Sequence, residues 1–485
     1  MFIISQVCCE VVYSVYLSII KINIMISSIK VQFGMTAILM VAFVLFTNML
    51  QSQNYVSTYA GTGSPGFVNG DTSVASFNRP FGICIDPEGN LYLADAYNHC
   101  IRKIGIDGQV SVYAGTGTAG YLDGPADEAK FNQPINIVLD EDGSMYVSDF
   151  INQRIRKIST DLQVTTIAGS GTAGLQNGAA SQAQFNYPRG ICLDDTGNIY
   201  IGDSWNHRIR KISVDGMVSD WAGGGTVIGV QSVGDYVDAS DTAARFYTPC
   251  ELSIDQSNNI FVADAYNHRI RKIDPDRMVT TVAGSGDSGP DGGGFQNGAS
   301  DTAQFKVPTA CHVTLDGTIF VGDGSNQRVR KIGVDQMVST FAGTGEIGFE
   351  DGPDSLATFD FPRGSVYDYN LNRLYVVDYN NHAVRIIHIA SGTGISDFPN
   401  TDQGNIYPNP FIQNTNIEYE LKNPAQVHIT IYTQHGKQID IIVDELQQQG
   451  KYEVQWKSED LPGGIYFCVL KTGNEIQTMK MIKLN

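Results

Sequence analysis

From Asn54 to Ile389 the hydrophobic positions come in short alternating runs broken by Gly-, Asp- and Asn-rich turns, and the whole pattern repeats. The third repeat shows the plan. Gly190–Asp194, Ile199–Asp203, Arg208–Ser213 and Met217–Ala222 read as four strands. The first two are joined through Asp195-Thr196-Gly197-Asn198 and the last two through Val214-Asp215-Gly216. Gly-Asn and Asp-Gly pairs supply the positive φ that tight hairpins require. A turn holding Asn206 and His207 joins the second run to the third. Four antiparallel strands that cannot bury their own faces predict one blade of a β-propeller.

The repeat marks itself with an aspartate at Asp95, Asp149, Asp203, Asp264, Asp323 and Asp378, at intervals of 54, 54, 61, 59 and 55 residues. Six marks predict six blades. The last repeat has only three runs, Gly364–Asp368, Leu374–Asp378 and Ala383–Ile389. Tyr55–Ala60 matches the fourth runs Val110–Ala114, Val164–Ala168 and Val338–Ala342, so the first strand is predicted to complete the last blade and close the ring.

Residues 391–404 read as a linker. Residues 405–485 alternate with period two in Gln426–Tyr432, Gly450–Trp456 and Gly464–Lys471, which predicts a small Ig-like β-sandwich. The fold class is therefore all-β: a six-bladed propeller over 54–390, closed by its N-terminal strand, then the sandwich. Residues 1–53 read as a signal peptide region, with an apolar core at 36–50 preceded by Lys30 and followed by Gln51-Ser52-Gln53. Residues 1–24, with Cys8 and Cys9, fit poorly, as if translation starts at Met25 or Met35. The alternative is a membrane anchor built from both apolar stretches.

Net charge sharpens the picture. At −19 the chain repels phosphate backbones, which argues against a nucleic-acid partner. Its eight cysteines form no CxxC or zinc-finger spacing and read as small buried apolar residues. The one pairing considered is Cys250 with Cys311, between neighbouring repeats.

A residue found in every blade is expected to build the blade, whereas one found in a single blade is free to serve a ligand. The six aspartates are expected to accept backbone N–H groups at strand ends. His99, His207, His268 and His382 share a turn position with Gln153 and Gln327, which mimic a hydrogen bond but not imidazole proton chemistry. Arg102, Arg156, Arg210, Arg271 and Arg330 on the third strands are expected to pair with acids. The connectors between blades repeat an Asn or Asp (Asn69, Asp123, Asn177, Asp238, Asn297, Asp351) ahead of a Phe (Phe77, Phe131, Phe185, Phe246, Phe305, Phe359). No cofactor is expected. Calcium or another divalent cation at these loops is the alternative, although no EF-hand spacing exists.

What varies is more telling. The connector runs 19 residues from Gly115 to Pro134, but 26 from Gly223 to Pro249 and 24 from Gly284 to Pro308, so one sector of one face is built up. The turn tips on that face include Tyr97, Trp205 and Tyr266, which could stack on a glycan or peptide or pack under the long loops. Arg189 and Arg363 open two of the innermost strands, and Asn136, Glu251 and His312 break the pattern further along. The last three form a thin metal set at the central opening, since metal hydrolysis needs several oriented ligands. No catalytic residue is assigned.

The motif P-x-G-I-x-x-D…G-N-h-Y-h-A-D-x-x-N-H-R-I-R-K-I, met in blades one, three and four and drifting at Asn152-Gln153, Asn326-Gln327 and Thr314, resembles the NHL repeat over about 335 residues. The resemblance implies a six-bladed propeller. It leaves function open, because the family spans RNA binders, adhesion-type proteins, lyases and lactonase-like hydrolases. The tail, with Tyr407-Pro408-Asn409-Pro410-Phe411, then Gly464 and Tyr466, and a final Lys480–Asn485, resembles the type IX secretion sorting domain of Bacteroidota. That implies the type IX machinery as a partner, and release or attachment at the outer cell surface. The membrane is then met only through the signal peptide or surface attachment. The expected function is an exported scaffold binding a glycan, peptide or protein. The alternative is a metal-dependent lactonase-like hydrolase or lyase at the central opening.

Overall fold

The computed structural model describes residues 54–390 apart from 225, 229 and 230, and 405–484 apart from 410, 434–437, 459, 460, 463, 473 and 474. The expected signal region, the linker and Pro410 of the sorting motif lie outside the described residues. Among the described residues no helix is long and apolar enough to cross a membrane.

Six antiparallel sheets make the propeller. Their innermost strands are Pro80–Ile85, Pro134–Leu139, Pro188–Leu193, Pro249–Ile254, Pro308–Val313 and Pro362–Asp368. Each lies against the next, and the last against the first. Tyr55–Ala60 pairs antiparallel with Ala383–His388, Val56 opposite Ile387, so the first strand does complete the last blade. The core lies between blades. Tyr92, Ile101 and Ala114 of blade one pack against Phe131, Ile137, Val147 and Val164 of blade two. All six connector phenylalanines are fully buried in such seams.

Five blades carry a fifth, two-residue strand on the outer edge: Gly70–Asp71, Gly124–Pro125, Gly178–Ala179, Gly298–Ala299 and Gly352–Pro353. Each opens on a glycine with φ between +121° and +149°. Blade four has Ala239 at that place. An L side chain resists this φ, and the connector makes only an isolated bridge there, Ser240 to Met278.

All six described cysteines are free and buried, so the Cys250–Cys311 bridge does not form. The register explains it. Cys250 stands one residue after its strand's proline and Cys311 three after its own, an offset of about 6–7 Å along the strand.

The tail is a β-sandwich. Asn405–Tyr407, Asn414–Leu421 and Gly450–Lys457 face a sheet of Gln438–Gln447, Ala425–Thr433, Gly464–Thr472 and Glu475–Lys483. The motif residues serve its core: Phe411 and Tyr466 stack edge-on against the buried Trp456 at 5.8 and 5.7 Å. Tyr466 also donates its hydroxyl to the Pro462 carbonyl at 2.7 Å. Thr415 bonds the Pro408 carbonyl at 2.7 Å, and the Tyr407 hydroxyl lies between Glu418 and Glu453. Asn409 extends the turn before Phe411.

Candidate ligand-binding face

The recurring residues are consumed by the scaffold. Asp95 accepts the backbone N–H of Asn78 at 2.7 Å, the amide of Asn98 at 2.8 Å and Nη1 of Arg102 at 2.9 Å. Nη2 of Arg102 donates to Asn69 at 2.7 Å and to the Val68 carbonyl at 2.8 Å. The guanidinium lies between the rings of Phe67 and Phe77, at 5.2 and 5.1 Å. The arrangement repeats in all six blades, with Arg385 added to the five third-strand arginines above. Blade three has Leu175 where the first ring should stand, and Arg210 meets Asp220 there instead, at 3.0 Å. Burial pushes Asp95 and Asp378 up to about 6, against the pull of their donors. These arginines are fully buried and each faces a buried aspartate, so they offer nucleic acid nothing. The Asn/Asp loop position considered for calcium faces a guanidinium in every blade, for example Asp123 to Arg156 at 2.6 Å. A cation already holds that place.

The turn histidines join blades. Nδ1 of His99 accepts the backbone N–H of Gln133 in the next blade at 3.1 Å, and His207 and His268 do the same for Thr248 and Val307 at 3.0 Å. Gln153 and Gln327 make the bond with Oε1, both at 2.6 Å. The acceptor role requires neutral imidazole, and burial holds His99, His268 and His382 below the ordinary histidine value.

The irregular residues divide between two ends of the central opening. Arg189 and Arg363 stand one residue into the innermost strands of blades three and six, at the end where the Tyr97, Trp205 and Tyr266 turns lie. Nη1 of Arg189 donates to the Cys250 sulfur at 3.2 Å. Arg363 sits against Phe81, Tyr379 and Phe361, at 4.0, 4.1 and 4.7 Å. Burial, then the Arg189 guanidinium, push Arg363 down to about 10. Nε and Nη1 of Arg363 and Nε of Arg189 are buried without a hydrogen-bond partner. No carboxylate pairs with either among the described residues.

Aromatic rings lead outward from this pair. Arg189 lies over Phe150 at 5.4 Å, Phe150 meets Tyr187 at 4.8 Å, and Tyr187 meets Trp205 at 4.6 Å. Trp205 is 52% exposed and Tyr97 39%. Tyr97 takes the guanidinium of Arg79 at 5.1 Å. Tyr266 is half-buried on Tyr247, at 5.3 Å. The long connectors wall this sector. Gln231–Val233 of the first lies against the turn Ser204–Asn206. The second is fastened to His268, whose Nε2 bonds the Gly289 carbonyl at 2.7 Å, while the Gly289 N–H donates to the Tyr266 carbonyl. Sequence reading missed Phe150, Tyr187, Phe361 and Tyr379. The available signal was position in the repeat: Tyr187 and Phe361 each precede an innermost proline, and Phe150 and Tyr379 each follow a recurring aspartate.

Asn136, Glu251 and His312 line a different space, a central cavity of about 470 Å³ whose lining also includes Asp140, Glu141, Asp194, Asp195 and Asp255, just beyond the far ends of the innermost strands. Burial alone raises the Glu251 carboxyl well above its usual range and pushes His312 down to about 4. Oε2 of Glu251, Nε2 of His312 and Oγ of Ser365 have no hydrogen-bond partner. Asn136 spends its Oδ1 on the backbone N–H of Ile137 at 2.7 Å. Among the described residues no three His, Cys, Asp or Glu converge as a metal site. One carboxyl and one imidazole do not fit a tightly held ion.

A model of the NHL repeat matches residues 77–104 and 185–212, and a model of the secretion system C-terminal sorting domain matches residues 405–484. The chain is an NHL-repeat propeller with a C-terminal secretion sorting domain. This NHL propeller is 30% identical over 283 residues to the protein SUPPRESSOR OF QUENCHING 1 of Arabidopsis thaliana, covering 56% of this chain and 26% of that protein. It is 30% identical over 315 residues to NHL repeat-containing protein 2 of Bos taurus, covering 58% of this chain and 42% of that protein. The chain thus spans less than half the length of these curated relatives. Among solved structures it is similar to a protein of unknown function from Bacteroides thetaiotaomicron, with TM-score 0.53, 21% identity and coverage of 69% and 76% of the two chains. An auxiliary nutrient binding protein from the same organism gives TM-score 0.52, 16% identity and the same coverage. These two establish the likeness of fold. The sorting domain directs the NHL propeller through the type IX machinery to secretion or the outer cell surface.

Proposed function

We propose that this exported NHL propeller is a binding scaffold for an extracellular glycan, peptide or protein, and that the ligand docks on the loop-rich face over blades three to five. The carrying observation is the run of rings from Phe150 through Tyr187 to the half-exposed Trp205, walled by the two long connectors. Exposed rings on a rigid frame bind at low entropic cost. A glycan and peptide array probed with the full chain, and with Trp205→Ala/Tyr266→Ala, tests the placement. The expected result is loss of most of the bound signal in the double variant; an unchanged array would overturn it.

A second reading, a metal-dependent lactonase-like hydrolase or lyase, draws on the orphaned Glu251 and His312 groups in the central cavity. Elemental analysis of the purified protein separates the two. One equivalent of a divalent ion, lost on Glu251→Gln, would favour catalysis. Trace metal, with a melting temperature indifferent to chelation, favours the scaffold.

A further inference from the structure

Arg189 and Arg363, on the innermost strands of the opposed blades three and six, lie near enough to repel, and among the described residues neither has a carboxylate partner, which is costly. N–H donors left buried and unpaired forfeit their desolvation energy. The propeller shows that it can do otherwise: it supplies each of its six recurring arginines with a buried aspartate. Arg189 and Arg363 alone break the repeat at their position, where the other four blades carry Phe81, Ile135, Cys250 and Thr309. Unpaired donors where a repeat array breaks its own pattern point to a site of function.

We infer that Arg189 and Arg363 clamp the carboxylate of an acidic sugar at the mouth of the central opening. This deepens the scaffold reading and rests on it. A guanidinium presents planar donors that match a carboxylate in bidentate fashion. An Nε without a hydrogen-bond partner is shared by Arg189 and by four of the recurring arginines, Arg102, Arg210, Arg330 and Arg385; what sets the pair apart is that Arg363 leaves Nη1 unpaired as well and that neither arginine has a carboxylate partner among the described residues. Phe81, Phe361 and Tyr379 hold Arg363 from the sides, which fixes its plane before a ligand arrives. Tyr97 and Trp205, both partly exposed, stand at the same end and offer faces for a pyranose ring. The overall charge limits the ligand further: at −19 the protein repels polyanions, so a sugar with a single carboxylate suits it better than a polyuronate or nucleic acid.

The test is calorimetric titration of the full chain with glucuronate, with glucose, and with a short apolar peptide bearing either a free or an amidated C-terminus. Glucuronate is expected to bind at least tenfold more tightly than glucose, and Arg189→Gln and Arg363→Gln each to remove that preference. The melting temperature supplies a readout that a structural role would not give. Arg363→Gln relieves repulsion, so the variant is expected to melt at or above the wild-type temperature. Lower melting on both substitutions would mean the arginines are structural and would overturn the inference. So would equal binding of glucuronate and glucose. Tight binding of the free-acid peptide with no response to glucuronate would overturn the sugar class and assign the clamp to peptide C-termini. The two readings fail differently. If array ligands vanish on Trp205→Ala/Tyr266→Ala but ignore both arginine variants, the clamp fails and the scaffold stands; if they ignore all four substitutions, the scaffold fails.

Discussion

Nδ1 of His382 in the last blade accepts the backbone N–H of Arg79 in the first at 2.9 Å, across 303 residues of chain. It is the sixth member of the histidine and glutamine series, and it fastens the same seam that the strand Tyr55–Ala60 closes from the outer edge. Arg79 carries positive φ, so its amide points across the seam only while the acceptor holds it.

We therefore expect His382→Ala to cost about 1–2 kcal/mol, the worth of a hydrogen bond whose donor is left unpaired. His382→Gln should retain most of that, since glutamine already serves at Gln153 and Gln327. Urea unfolding of the two variants checks this; equal losses would show that the ring itself, not its acceptor, matters.

The same bonds predict a pH dependence. Folded His99 and His382 lie below the ordinary histidine value because burial disfavours the charged form. The unfolded chain therefore takes up protons first, from about pH 6.5 downward. The contribution is whole above that pH and is lost as pH falls through it. The buried aspartates work in the opposite sense, because burial raises Asp95 and Asp378 to about 6. The histidine share is isolated by comparing wild type with His99→Gln/His382→Gln. The melting temperature of the wild type is expected to fall relative to the variant between pH 8 and 5.5, and a constant difference would contradict the assignment.

Asp323→Ala leaves Arg330 buried without a carboxylate partner, since its loop partner Asn297 is neutral. A broken buried pair of this kind costs about 3–5 kcal/mol. Chemical denaturation should report a loss of that order, whereas Asp195→Ala, on an exposed turn, should report almost none.

The outer edge gives a backbone test. Gly124 has φ +136° and nothing near its would-be Cβ, so Gly124→Ala isolates conformational strain, about 1–3 kcal/mol. Ala239→Gly in blade four should be close to neutral, since the connector there already runs without the fifth strand. Thermal melting of both variants distinguishes strain from lost packing.

Much of this was legible along the chain. The Asp95 series, the missing fourth run after Ile389 and the His/Gln exchange are local and periodic, so strand number, ring closure and a hydrogen-bonding rather than catalytic role for the histidines could be read directly. The partners of Asn69 and Asp123 were not legible, for a non-local reason. Arg102 and Arg156, about thirty residues on, reach back to them through hydrogen bonds whose span of 33 residues no short motif records. The Cys250–Cys311 pairing failed on register, which adjacency of blades does not convey.

By itself the sequence determined six blades, their closure by Tyr55–Ala60 and the sorting tail, because strand period, turn chemistry and repeat length are properties of neighbouring residues. Only the tertiary structure decided that Arg189 and Arg363 come near each other at one end of the central opening while Asn136, Glu251 and His312 line a cavity toward the other. All five lie on innermost strands, and one or two residues along a strand change which end a side chain serves. Closing the ring brings blades three and six, far apart in the chain, to face each other.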